Sequence, residues 1–168
     1  MRFEAPFLLW LLFAVVYDFR QRRIPNWLVL AGALGALIAL AFGAAPFGHG
    51  WTSALLGAAV GFGFLLVFHL LGLMGAGDVK YAGALGLWVG LAALAPIWII
   101  SSVLAAAHGL LWLALQRWPL SPRLALFLFG QPISRDGQTP TRRTRFIPYA
   151  AYLSVAAAIW MVWGRQSL

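Results

Sequence analysis

Six apolar runs, at about 5–18, 27–44, 51–73, 79–95, 97–116 and 146–164, make up most of the chain. About 20 apolar residues cross a hydrocarbon core of roughly 30 Å at about 1.5 Å per helical residue. The pattern therefore predicts an all-α polytopic membrane protein with about six transmembrane helices in a single domain, 1–168. Pro25-Asn26 and the stretch from Gly43 to Gly50 punctuate the first three runs, and the segment from Gly72 to Asp78 separates the third from the fourth. Pro96 separates the fourth from the fifth; the alternative there is a kink in one long helix, which changes the topology of everything after it.

Composition agrees with a bilayer as solvent. Of 168 residues, 62% are hydrophobic and 10% charged, too little polar surface to cover a soluble domain of this size. The net charge of +8 does not point to nucleic acid, because the twelve basic residues cluster in loops between apolar runs rather than along one stripe. With the N-terminus outside, ten of them fall inside: Arg20, Arg22, Arg23, Lys80, Arg117, Arg123, Arg135, Arg142, Arg143 and Arg145. Arg2 and Arg165 remain outside. The positive-inside rule favours this orientation, and with it separate fourth and fifth helices. The first run carries Glu4, lacks a small-x-small cleavage site and ends in Asp18 and three arginines, so it is expected to be a retained membrane helix rather than a signal peptide.

Within the runs, small residues recur at packing distances: Gly57 with Gly61, Gly32 with Gly35, and Gly86 with Gly90. Close helix approach in lipid relies on such residues. The Gly57–Gly63 segment lies inside a helix and follows no strand, so it reads as packing rather than a dinucleotide loop. Trp27, Trp51, Trp118 and Trp163 fall near helix ends, where indoles anchor at an interface. A basic cytoplasmic loop of about 117–145 holds an apolar insert, 124–129, too short to span and suited to a membrane surface. His49, His69 and His108 share no ligand spacing, and packing or interfacial roles are expected of them rather than metal binding. No metal and no cofactor is expected, and the absence of cysteine removes thiolate chemistry.

Against this background two acids stand out. The chain has four, and Asp18 and Asp78 both lie at the edges of apolar helical runs, where a carboxylate is costly. The topology sets Asp18 at the end of a helix entering the cytoplasm and Asp78 at the start of one leaving it, so the two can meet near the cytoplasmic interface. Two carboxylates sharing a partly dehydrated site do not both ionise readily. One then activates water as a base while the protonated partner polarises a peptide carbonyl, which is aspartic-protease chemistry. Gly75 and Gly77, flanking Ala76 just before Asp78, admit close approach of a second backbone, or equally an ordinary helix-connecting turn. Each acid also has a plainer reading: Asp18 as an interfacial partner of the arginines after it, Asp78 as a partner of Lys80 or a helix N-cap.

Three stretches together resemble the type IV prepilin peptidases, which are GxGD membrane aspartic proteases. They are Asp18 with the downstream Arg23-Ile24-Pro25-Asn26, then Met74-Gly75-Ala76-Gly77-Asp78-Val79-Lys80, then Ile147-Pro148-Tyr149 opening the last helix. The resemblance implies that Asp18 and Asp78 are the catalytic pair. It implies cleavage of the leader of a pilin-like precursor at the cytoplasmic face of a bacterial inner membrane, after a small residue such as glycine. Gly75, Gly77, Lys80, Arg23, Pro25, Asn26, Pro148 and Tyr149 become candidate supporting or substrate-binding residues. For Lys80, tuning of the pair and contact with lipid headgroups both remain open, and Pro148 and Tyr149 either shape the site or simply start a helix. Larger family members carry paired cysteines in an extra region linked to methylation, so this chain is expected to resemble the peptidase-only form of tight-adherence pili. The rival readings are a proton-coupled transporter and a non-enzymatic assembly factor of a pilus or secretion machine; no convincing internal repeat favours the transporter.

Overall fold

The computed structural model describes residues 3–117 and 148–163. The basic loop expected beyond Arg117, with its insert at 124–129, lies outside the described residues, as do Trp118 and the outer arginines Arg2 and Arg165. Every regular element among the described residues is a helix. The first three are α1 (Glu4–Gln21), α2 (Asn26–Ala41) and α3 (Trp51–Leu70). A helical stretch follows over Ala76–Arg117, interrupted at Gly90, which gives α4 (76–89) and α5 (91–117). The last is α6 (Tyr149–Trp163). Of the described residues, those up to 105 and those from 148 onward belong to one compact unit, and 106–117, the helical end of α5, to a second.

The break between the fourth and fifth helices lies at Gly90, not at Pro96. Gly90 has φ 72° and ψ 177°, a conformation essentially restricted to glycine, whereas Pro96 is carried inside α5. The loop before α3 secures the exposed ends. His49 Nε2 donates to Leu87 O at 3.0 Å, satisfying a carbonyl in the last turn of α4, and Leu91 N–H donates to Ser53 Oγ at 3.1 Å, satisfying the first amide of α5. The chain doubles back at this point. Asp78, twelve residues before Gly90, and Ser101, eleven after it, both bond to the first two residues of α6. Other boundaries differ by a turn or less. α1 continues past Asp18 to Gln21 before Arg22 closes it in the left-handed conformation, and α4 starts at Ala76, so Asp78 sits in its first turn.

Aromatic rings fill the space among α1, α2 and α4. Trp10 stacks on Tyr81 with centroids 4.7 Å apart, Phe7 meets Trp88 at 5.1 Å, and Trp10 Nε1 donates to Leu28 O at 2.8 Å. Of the small residues at packing spacing, Gly32, Gly35, Gly57, Gly61 and Gly86 lie at close contacts between helices, whereas Gly90 is the turn itself. Gly32 lies under Trp10 and Gly35 under Trp88, while a Cβ on Gly57 would come within 2.6 Å of Gly86 O. α3 and α4 therefore touch backbone to backbone there, and larger side chains would force them apart.

The outer faces are apolar. Leu8, Leu12 and Phe13 of α1, Leu30 and Leu34 of α2, and Leu55 and Val67 of α3 are all exposed. A surface of this kind far exceeds the patches that water-soluble monomers carry. Among the described residues two helical stretches are long and apolar enough to cross a membrane, Trp51–Leu70 and Ala76–Leu111, with mean hydropathies of 2.0 and 2.1. The second contains the Gly90 reversal, so its length is shared between α4 and α5 rather than forming one span.

The Gly90 turn yields the first prediction. Gly90→Ala forces a non-glycine residue into this conformation and brings its Cβ to 2.7 Å from Ser53 Oγ. We expect a loss of about 1–3 kcal/mol, read as a lower unfolding midpoint in detergent; Gly63→Ala, whose Cβ meets nothing within 4 Å, is expected to be near neutral.

Candidate active site

Asp18 and Asp78 converge on the start of α6. Pro148 is fully buried and directly precedes the helix; its ring fixes φ at a value compatible with a helix start, and Tyr149 begins the first turn. The amides of that turn have no intrahelical acceptor. Two of them are taken by the carboxylates: Ala150 N–H donates to Asp78 Oδ1 at 3.2 Å, and Ala151 N–H donates to Asp18 Oδ2 at 2.8 Å. Consecutive amides thus hold the two acids side by side, though sixty residues separate them in sequence.

Both carboxylates are buried, Asp18 at 3% and Asp78 at 8% exposure. A charged group so enclosed is tolerable only with donors at hand. The end of α1 supplies a carbonyl-rich terminus, an unfavourable setting for the Asp18 anion, and the positive end of α6 offsets it. Asp78 lies in the first turn of α4, where the dipole already favours an acid. Each carboxylate gives one oxygen to α6 in these bonds. Asp78 Oδ2 faces Gly75, 3.3 Å from where a Cβ would stand, so an alanine at this position would crowd that oxygen.

The other candidates divide between the site and its frame. Gly77 packs on Ile24, whose backbone nitrogen is 3.5 Å from a would-be Cβ. This brings the segment after α1 against the turn before α4. Lys80 turns away from Asp78 and donates to Asn26 Oδ1 at 3.2 Å, bridging the first turns of α4 and α2. Arg23 and Asn26 are exposed, Pro25 is partly buried as the residue before α2, and the buried member of that stretch is Ile24. Of the arginines following α1, Arg22 is the one whose charge bears on Asp18. Tyr149 does not present its hydroxyl to the acids. It shares hydrogen bonds with Ser101 Oγ at 3.2 Å and Ser102 Oγ at 3.5 Å, fastening α6 to α5. An apolar groove of about 430 Å³ runs between α2, α3 and α4 with Lys80 at its edge, lined by neither aspartate. Among the described residues no group of three His, Asp or Glu side chains has metal-binding geometry; His49 and His69 each bond to a backbone carbonyl, Leu87 and Met74.

Sequence reasoning passed over the two amides, Tyr81 and Ser154. Backbone donors leave no side-chain signal, and the available one was Pro148, which marks a helix start and hence a set of unpaired N–H groups. Tyr81 and Ser154 were visible as hydroxyls in apolar helices, one turn from Asp78 and one turn from Ala150 respectively.

Comparison with known proteins follows the same residues. The model of the type IV leader peptidase family matches residues 5–110, which include both aspartates and stop short of α6. A prepilin leader peptidase/N-methyltransferase of Xanthomonas campestris pv. campestris is 34% identical over 160 residues, covering 89% of this chain and 45% of the relative. A protein of the same description from Aeromonas salmonicida is 29% identical over 166 residues, covering 95% of this chain and 49% of the relative. The chain spans about half the length of the curated relatives it matches. No solved structure matches it.

The Tyr149 contact generates a prediction about the frame. Tyr149→Phe and Ser101→Ala are each expected to lower unfolding stability by about 1 kcal/mol. The double variant should lose little more than either single one, as a double-mutant cycle in detergent will show.

Proposed function

The chain belongs to the type IV leader peptidase family, and from this premise we propose that it is an aspartic endopeptidase of the membrane, with Asp18 and Asp78 as the catalytic pair. The observation that carries the reading is the attachment of both carboxylates to consecutive amides of α6. Paired acids held this close, each with one oxygen not engaged by those amides, form a base and an acid that share a proton. The charged member takes a proton from water. The protonated member hydrogen-bonds the scissile carbonyl, and the water oxygen attacks its carbon. Collapse of the tetrahedral species returns a proton to the departing amine, so the dyad is restored without a metal.

The substrate is a pilin-like precursor with a basic leader in the cytoplasm and an apolar helix in the bilayer. The names of the two relatives support that class, since both are called prepilin leader peptidase/N-methyltransferase. The site faces the cytoplasm of a bacterial inner membrane, the chain crosses six times, and the N-terminus is outside. Supporting this are the apolar outer faces, the position of the basic residues Arg20, Arg22, Arg23 and Lys80 within five residues of the acids in sequence, and the convergence of one end each of α1, α4 and α6.

Incubation of the purified protein with a pilin precursor in detergent tests the activity. Asp18→Asn and Asp78→Asn are each expected to reduce cleavage by about 10²–10⁴-fold, the worth of a positioned acid or base, while Asp136→Asn cleaves normally. Wild-type cleavage by either of the first two rejects the dyad, and no cleavage by the parent protein favours a transport or assembly role.

Topology is tested separately in cells. The sequence has no cysteine, so single introduced thiols report cleanly. Gln21→Cys should react only after the inner membrane is permeabilised, and Phe42→Cys should react from outside. The reverse pattern would invert the proposed orientation.

A further inference from the structure

Three buried polar groups near the dyad take no part in the chemistry above, and they join into one chain. Ser154 Oγ lies 2.7 Å from Ala150 O and donates to it. A hydroxyl has one proton. Ser154 therefore accepts at its other contact, and the Tyr81 hydroxyl, 2.6 Å away, is the donor. The carbonyl of Ala150 belongs to the same peptide unit as the N–H of Ala151, and that N–H donates to Asp18 Oδ2 at 2.8 Å. A serine bonding back to the carbonyl four residues earlier is common in apolar helices and by itself signifies little. Here the bonded peptide ends on one of the two acids, and both hydroxyl side chains are excluded from solvent, Tyr81 at 0% and Ser154 at 1% exposure.

We infer that Tyr81 and Ser154 are positioning residues that act on Asp18 through the Ala150–Ala151 peptide. Tyr81 donates to Ser154, Ser154 donates to the Ala150 carbonyl, and withdrawal of electron density toward that carbonyl strengthens the Ala151 N–H as a donor. Hydrogen bonds in series polarise one another, by about 10–30% each in a low-dielectric setting. The orientation of the peptide is fixed at the same time, since its carbonyl and its amide are both held. The α6 amide that donates to Asp78 Oδ1, Ala150 N–H, belongs to the preceding peptide, not to the one that Ser154 holds. The relay thus treats the two acids unequally. Stacking on Trp10 fixes the Tyr81 ring independently of its hydroxyl, so the hydroxyl can be removed while the packing stays.

The inference rests on the peptidase reading, and cleavage assays of the full chain in detergent separate the two. Tyr81→Phe is expected to lower kcat about 3- to 10-fold, the range that one modest hydrogen bond spans, with KM unchanged. Ser154→Ala should lose at least as much, and Ser154→Thr, which keeps the hydroxyl, should recover most of it. Because Tyr81 acts only through Ser154, adding Tyr81→Phe to Ser154→Ala should cost nothing further in kcat. A wild-type kcat for Tyr81→Phe, or losses that multiply in the double variant, overturns the relay. Thermal melts establish that each variant is folded; if Tyr81→Phe is not, the comparison of Ser154→Thr with Ser154→Ala decides the matter alone. Asp18→Asn serves as the control: retained cleavage there means that the peptidase site is wrong, whereas its loss beside an unaffected Tyr81→Phe means that only the relay is.

Discussion

Two unfavourable features cancel at the start of α6. A helix that begins inside a protein leaves amides without acceptors, and a carboxylate enclosed among apolar helices lacks the water that would stabilise it. The Ala150 and Ala151 amides meet the Asp78 and Asp18 carboxylates and supply both needs. Everything else at this end of the first compact unit is arranged around that exchange. Pro148 sets where α6 begins, Tyr149 fastens it to Ser101 and Ser102, and Ser154 with Tyr81 ties its second turn to α4. The acids gain a fixed separation as a by-product, defined by main-chain amides.

This arrangement depends on the reversal at Gly90. Were the stretch from Ala76 to Arg117 one straight helix, Asp78 and Ser101 would stand far apart along it, at about 1.5 Å per residue. They instead reach neighbouring residues of α6. The reversal is made by one residue with a backbone conformation closed to others, and it is sealed by His49 and Ser53 from the loop before α3. Those contacts lie at the far end of α4 from the acids, so packing at one end of the bundle determines geometry at the other. The backbone contact between Gly57 and Gly86 conveys this constraint along the helices by leaving α3 and α4 no room to slide.

Much of this was legible beforehand, for reasons that differ by residue. Asp18 and Asp78 were conspicuous because acids are scarce in the chain and costly where these sit. The paired glycines announced close helix contacts, since no side chain could serve at that distance. In the sequence the fourth break is expected at Pro96, because proline is the stronger general signal for a helix end. Tertiary contacts decided for Gly90: with His49 and Ser53 present, a turn becomes satisfiable there, and Pro96 is accommodated within α5. Lys80 was read beside Asp78 because the two are close in sequence, yet on a helix neighbours two apart point in different directions, and Asn26 takes the ammonium instead. The partners of the acids were the least visible, being main-chain groups from a helix seventy residues beyond the second of them.

The same geometry explains how chemically identical acids come to have different roles. In a symmetric dyad either member could hold the proton, and the choice would be made anew by each substrate. Here the settings are unequal before any substrate arrives. Asp18 terminates a helix whose dipole opposes its charge, and the short bond it accepts from the Ala151 amide is reinforced from Tyr81 through Ser154. Asp78 opens a helix whose dipole favours its charge and accepts a longer bond from the adjacent amide. These influences run in opposite directions along the two helices, so neither the helix dipoles nor the amides alone assign the roles. The relay gives Asp18 a reinforced donor through a single buried peptide, and that makes it the natural point at which to perturb the balance.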